Sequence, residues 1–136
     1  MVYFDTSAWA KLYITEPENP GVESIVRGHE PWLFTSRVTY AETLATLARA
    51  AREDRISHQS YQRQKRAFLS DWNSLQIVAL TPDVLSLAVR LIEKHALRGF
   101  DAVHLCSALW IGKPDFACFD ARLRRAAAAE GLPVVP

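Results

Sequence analysis

The sequence predicts an α/β fold in three layers, α/β/α, with a central parallel sheet of four to five strands. Short apolar runs of strand length alternate with longer stretches of helical periodicity along the whole chain, and that alternation argues for a parallel sheet covered by helices on both faces. Turn and cap residues fall at the junctions, with Thr81-Pro82 opening one helix and Gly99 and Gly112 standing where others stop. The chain has 136 residues, 49% of them hydrophobic and 23% charged, with only five glycines. A chain of this size buries roughly 68% of the surface exposed when it is unfolded, so a single domain over residues 1–136 with one core is expected.

Each element has its own signal. Val2 to Thr6 is a short apolar run ending at Asp5, and Ala8 and Leu12 follow with helical spacing up to Pro17, which stops or restarts the chain. Helix is expected over Gly21 to Val26, then a strand over Trp32 to Thr35 bounded by Pro31 and by Thr35-Ser36. The longest helical region follows. Ala41, Leu44, Ala45 and Ala48 form one apolar stripe within Val38 to Ala51, and Tyr61, Phe68 and Leu69 mark a further helix from Ser57 to Trp72.

Leu75 to Leu80 reads as the third strand, with Thr81 as N-cap and Pro82 in the first turn of a helix through Val84 to Ala96. A helix from near Asp101 carries Val103, Leu105 and Leu109 to the Gly112 stop. Phe116 to Phe119 is the fourth strand, Ala121 to Glu130 the last helix, and Pro133 to Val135 a terminal strand. No internal repeat is apparent.

Composition narrows the function. A net charge of +1 is not that of a uniformly basic nucleic-acid binder, so any such contact must come from local clustering. One cluster exists over residues 49–66, where Arg49, Arg52, Arg55, Arg63, Lys65 and Arg66 face only Glu53 and Asp54; it is either a solvated helical face or a surface for a phosphate backbone. The two cysteines, Cys106 and Cys118, suit small buried thiols and a reducing, cytoplasmic setting. The N-terminus has no secretory signal pattern, and no run approaches the roughly 18 apolar residues of a membrane span, so a soluble protein without a membrane partner is expected.

Four carboxylates draw the chemistry together. Asp5 and Asp120 stand at the ends of predicted strands, Asp101 opens a predicted helix and Glu42 sits in the first turns of another. In parallel sheets of this kind, ligands bind outside the carboxyl ends of the strands. Each acid also has a structural explanation. Asp5, Asp101 and Asp120 are plausible N-caps, and Thr39-x-x-Glu42 matches a capping box. Against the cap reading of Asp5, the preceding Val-Tyr-Phe tends to bury the carboxylate, which is costly without a cation or donors, and Thr6 and Ser7 add hydroxyls. His104, one turn after Asp101, reads as a packed or hydrogen-bonded histidine rather than a metal ligand. Taken together, four acids on one sheet edge, without a Cys/His cluster, suit a hard cation such as Mg²⁺ or Mn²⁺.

These residues resemble a known family. Val-Tyr-Phe-Asp5-Thr-Ser-Ala, Glu42 early in the third helix, Phe100-Asp101-Ala-Val-His-Leu-Cys-Ser-Ala and Phe116-Ala-Cys-Phe-Asp120-Ala-Arg-Leu are similar to the four acidic motifs of PIN domains, in order, spacing and total length. The group most similar is the VapC-type toxins of toxin-antitoxin pairs, and the resemblance runs through the closing Ala-Glu-Gly-Leu-Pro-Val-Val. It implies a PIN-like fold and an Mg²⁺-dependent (or Mn²⁺-dependent) endoribonuclease that hydrolyses RNA phosphodiester bonds with metal-activated water, leaving a 5′-phosphate and a 3′-hydroxyl. It also implies a homodimer held inactive by a small antitoxin.

By the same resemblance Asp5, Glu42, Asp101 and Asp120 are the catalytic and metal-binding quartet. Ser7, Arg49 and Arg122 are candidates for substrate contact. One departure is Cys118, where family members often carry Thr, Ser or Asn. An alternative reading keeps the fold without catalysis, as an RNA-binding or protein-interaction module in which the acids are only caps. A phosphoryl-transfer enzyme with an aspartyl nucleophile fits less well, because Asp5-x-Ser7 lacks a second nearby acid, and no two histidines are placed together for histidine-driven RNA cleavage. Trp9, Tyr13, Tyr61, Phe68 and Trp72 are either core or an aromatic surface for a docking helix.

Overall fold

The computed structural model describes residues 1–14 and 21–136, so the expectation attached to Pro17 lies outside the described residues. β1 (Val2–Phe4) leads into the short α1 (Thr6–Trp9), which tightens into a 3₁₀ turn at Ala10–Leu12. Then follow α2 (Val22–His29), β2 (Leu33–Ser36), α3 (Val38–Arg52) and α4 (His58–Asp71), which ends in a 3₁₀ turn at Trp72–Ser74. The second half runs β3 (Gln76–Val78), α5 (Pro82–His95), α6 (Gly99–Trp110), β4 (Asp115–Ala117), α7 (Ala121–Ala129) and β5 (Val134–Val135). All five strands are parallel, in the order β3-β2-β1-β4-β5. The parallel three-layer architecture predicted from the sequence is the one observed.

The period of two along a strand splits the core between the two faces. Val2, Phe4, Leu33 and Ala117 pack with Trp9, Leu47 and Phe68 on one side. Tyr3, Val78 and Phe116 pack with Leu91, Leu105 and Leu123 on the other. Trp9, Tyr13 and Phe68 are therefore core, with Tyr61 and Trp72 packed partly buried against them. Among the described residues no helix is long and apolar enough to cross a membrane.

Two strands are shorter than their apolar runs. β3 stops at Val78, which pairs with Ser36, the last residue of β2. Beyond Ser36 the neighbouring chain turns into α3, so Ala79 and Leu80 have no ladder to join. β4 begins at Asp115, which pairs with Val2, and ends at Ala117, which pairs with Phe4. The chain of β1 then turns at Asp5, leaving Cys118 and Phe119 outside the ladder. α2 extends past Val26 to His29, where the ring is held by Ile25 O at 2.8 Å and Asp115 Oδ2 at 2.9 Å.

The strand order has a functional consequence. From β1 the chain first builds outward through β2 and β3, then returns to the other side of β1 for β4 and β5. β1 and β4 thus flank the point where the order reverses. A crevice opens there at the carboxyl ends of the strands.

Candidate active site

That crevice is a cavity of about 430 Å³ lined by Asp5, Thr6, Ser7, Glu42, Asp101, His104 and Asp120, with Lys11, Arg49, Arg55 and Arg98 among its further lining residues. Four elements supply the acids: the end of β1, the first turns of α3, the first turn of α6 and the loop after β4. Ser7 and Arg49, named from the sequence, line it too, and Arg122 does not. The Arg122 guanidinium donates to Ala96 O at 3.2 Å and lines a neighbouring hollow with His95 and Arg125. Standing two residues after an acid did not bring it to the cavity, because α7 carries position 122 round to the α5 side.

Asp5 is 4% exposed and caps α1. Oδ1 accepts the Ala8 N–H at 2.9 Å, and the Ser7 hydroxyl lies 2.8 and 2.9 Å from the two carboxylate oxygens. Cys118 donates its S–H to Oδ2 at 3.3 Å. Burial pushes the Asp5 carboxyl above the ordinary carboxylate value, against the pull of His104, Ser7, Ala8 and Cys118. Burial also pushes the Cys118 thiol far up, with Asp5 adding to it, so Cys118 serves as a weak donor and not as a thiolate.

Glu42 does not form the capping box that its spacing suggested. α3 starts at Val38 with Arg37 at the N-cap, and Thr39 lies inside the helix, buried, with its hydroxyl 2.7 Å from that of Thr35. The Glu42 carboxylate instead takes hydrogen bonds from Thr6 Oγ1 at 2.5 Å and His104 Nε2 at 2.9 Å. Burial pushes this carboxyl up, and the bonds from His104 and Thr6 outweigh it, so its pKa lies below the ordinary value.

Asp101 is not an N-cap either. Arg98 holds that position, and Asp101 sits in the first turn of α6. Burial and the neighbouring charge of Asp120 push its carboxyl up, partly offset by His104 and Arg98. Asp120 does cap α7, accepting the Leu123 N–H at 2.8 Å. As the side chains stand, no three of the described Asp, Glu, His and Cys residues come close enough together to enclose a metal ion. Glu42 is turned to His104, and Asp5 and Asp120 are turned to their caps.

Sequence reasoning passed over Arg98 and Tyr3. Arg98 precedes a glycine and has no local signature of a site residue. Tyr3 reads as one more core aromatic, and only the fold sets its hydroxyl 2.9 Å from His104 Nδ1.

A cavity lined by four carboxylates and three arginines, at the switch point of a five-stranded parallel sheet, defines a class of protein. The PIN-domain family model matches residues 2–129. The chain belongs to the PIN-domain family, in its VapC-type branch. Ribonuclease VapC45 of Mycobacterium tuberculosis is 39% identical over 138 residues, covering 100% of this chain and 95% of that protein. Among solved structures, Mycobacterium tuberculosis VapC20, a sarcin-ricin loop cleaving toxin, matches with a TM-score of 0.73 at 21% identity, with 100% of both chains covered. A toxin-antitoxin complex from Klebsiella pneumoniae matches with a TM-score of 0.65 at 20% identity, covering 100% of this chain and 97% of that one. At these identities the structural matches speak for the fold.

Proposed function

We propose that the cavity is the centre at which this VapC-type ribonuclease hydrolyses RNA phosphodiester bonds, with Asp5, Glu42, Asp101 and Asp120 as its carboxylates and Mg²⁺ or Mn²⁺ as its cofactor. One observation carries the reading: four acids from four separate elements line a single cavity that arginines also line. Acids that served only as caps would have no reason to share one cavity, and Glu42 and Asp101 cap no helix.

The donor set suits a hard divalent cation. It is made of carboxylate and hydroxyl oxygens, and Mg²⁺ is held by one or two carboxylates with several waters retained, so a closed cage of three side chains is not required. Asp5, buried against its own charge, and Asp101, raised in part by Asp120, are the two acids that a cation would relieve most, and we assign them the principal ion. Glu42 and Asp120 stand at its borders. When bound, the cation supplies Lewis acidity, activation of water and charge neutralisation.

The chain's own residues do the rest. Arg49 and Arg98 on the rim offer charge-assisted hydrogen bonds to phosphate oxygens and hold the RNA backbone across the cavity. Ser7 holds Asp5 in place from the β4 side. In the reaction a water oxygen bonds to phosphorus, the P–O3′ bond breaks, and the departing oxygen takes up a proton. The substrate class is supported by VapC45, whose name describes an RNA-cutting protein. A small antitoxin as partner is supported by the fold match to a toxin-antitoxin complex, and a homodimer is part of the same reading.

Asp5→Asn tests it. With Mg²⁺ present the variant is expected to lose RNA cleavage while keeping its fold, and excess EDTA is expected to silence the parent. Cleavage at the parent's rate by Asp5→Asn would remove Asp5 from the catalytic centre, and a parent that cuts no RNA in Mg²⁺ would leave the fold as a binding module.

A further inference from the structure

At the wall of the cavity, Tyr3 and His104 form a buried pair whose outer end is Glu42. The Tyr3 hydroxyl lies 2.9 Å from His104 Nδ1, and His104 Nε2 lies 2.9 Å from Glu42 Oε2. Tyr3 is 0% exposed and His104 2%. We propose that Tyr3 and His104 are positioning residues for the reaction, which together hold the Glu42 carboxylate in one orientation on the cavity wall. The inference rests on reading Glu42 as part of the active site.

The hydrogen-bond chemistry has one consistent direction. An ionised carboxylate only accepts, so His104 Nε2 carries the proton that faces Glu42, whether the ring is neutral or charged. Nδ1 is then left to Tyr3. A hydroxyl both donates and accepts, so Tyr3 satisfies Nδ1 in either form of the ring. Ser107, whose hydroxyl donates to Val103 O at 2.8 Å, and Ser36 also stand beside the Tyr3 hydroxyl. With both ring nitrogens engaged, a ring flip would set carbon atoms against Glu42 and Tyr3. Tyr3 does not move easily, since its ring stacks on Phe116 with centroids 5.6 Å apart and meets His104 edge-on at 6.0 Å.

Glu42 gains from this rigidity. A glutamate on a helix surface has several rotamers, and ordering such a side chain costs conformational entropy. Here a ring already fixed in the core presents the donor, and Thr6 binds the same carboxylate oxygen from the β1 side. A histidine that merely filled the core would have no call to spend a ring nitrogen on a carboxylate that lines a cavity. Metal ligands are oriented in the same manner by groups that do not touch the ion, and removing such a group costs about 10–100-fold in affinity or activity.

The experiment compares the parent with His104→Leu, His104→Gln, Tyr3→Phe and Glu42→Gln. It uses steady-state cleavage of an RNA oligonucleotide that the parent cuts, Mn²⁺ binding followed by electron paramagnetic resonance, and ¹⁵N signals of the histidine ring. His104→Leu is expected to lose about 10–100-fold in kcat and in Mn²⁺ affinity with little change in KM. His104→Gln, whose amide N–H reaches the place of Nε2, is expected to recover most of both, and Tyr3→Phe to fall between. In the metal-free parent the His104 ring is expected to carry a proton on Nε2.

Equal losses in the Gln and Leu variants, or none in either, would overturn the proposal, as would a ring protonated on Nδ1 alone. If Glu42→Gln abolishes cleavage and His104→Leu does not, positioning fails and the reading of Glu42 stands. If Glu42→Gln cuts like the parent, both fail. Should His104→Leu not fold, the ring signals and Tyr3→Phe decide.

Discussion

The Ser7 hydroxyl joins the ends of β1 and β4, lying 2.8 and 2.9 Å from the two oxygens of Asp5 while it accepts the Phe119 N–H at 2.9 Å. It thereby sets the two chain segments that carry Asp5 and Asp120 at a fixed separation across the switch point. Ser7→Ala removes both bonds and leaves the part-buried Phe119 N–H without a partner. A loss of about 1–3 kcal/mol in urea unfolding is expected. A loss near zero would mean that Cys118 or water takes over the contact.

Asp101 and Asp120 oppose each other electrostatically. Metal-free Asp101→Asn is therefore expected to melt above the metal-free parent at neutral pH, because one of two like charges is gone. Mn²⁺ at about 100 times its Kd should stabilise the parent by about 2.7 kcal/mol and leave the variant nearly unmoved. Differential scanning calorimetry with and without Mn²⁺ reads both effects, and equal stabilisation of the two proteins would sink the assignment of Asp101.

Arg98 and Arg49 line the cavity, whereas Arg122 donates to Ala96 O outside it. Arg98→Ala and Arg49→Ala are each expected to raise KM for RNA and to lower the slope of log affinity against log salt by about 0.7, the value of one phosphate contact on a single strand. Arg122→Ala should leave that slope in place. Filter binding of an uncleaved RNA over a salt series checks it. A loss of slope in Arg122→Ala alone would move the RNA path to the other side of α7.

Glu130 gathers His95 at 2.7 Å, Lys94 at 2.9 Å and Arg90 at 3.0 Å, tying α5 to the end of α7. The hydrogen bond with His95, joined by Lys94 and Arg90 and opposed by burial, holds the carboxyl at about 2, down from 4.5. A depressed folded-state pKa adds stability that is full above the unfolded value and is lost as pH falls through the folded one. Glu130→Gln is therefore expected to be less stable than the parent at pH 6, with the gap closing between about pH 4.5 and about pH 2. A gap constant over that range would show that the carboxylate's charge is not what matters.

Much of the fold was legible because its signals are local. Thr81-Pro82 marks the start of α5, as the Thr81 hydroxyl caps the helix at Val84 N, and Val-Tyr-Phe announces a buried strand that ends in an acid. Reading the same kind of signal went wrong where a distant partner decides. Thr39-x-x-Glu42 has the letters of a capping box, but Thr35 takes the threonine and His104 takes the glutamate. Asp101 has the place of an N-cap, but the helix begins two residues earlier at Gly99. Leu75 to Leu80 has the apolarity of a six-residue strand, and the length of its neighbour β2 cuts it to three.

By itself the sequence determined that strands and helices alternate, that Asp5 follows directly on the first strand and that Asp120 stands before the last helix, because hydrophobic period and turn chemistry act within a few residues. Only the tertiary structure decided which acids share a cavity, that Arg98 enters it while Arg122 leaves, and that Tyr3 and His104, 101 positions apart, stand behind Glu42. Those facts follow from the order β3-β2-β1-β4-β5, which is set by packing two helical layers against one sheet and has no trace in any short stretch of residues.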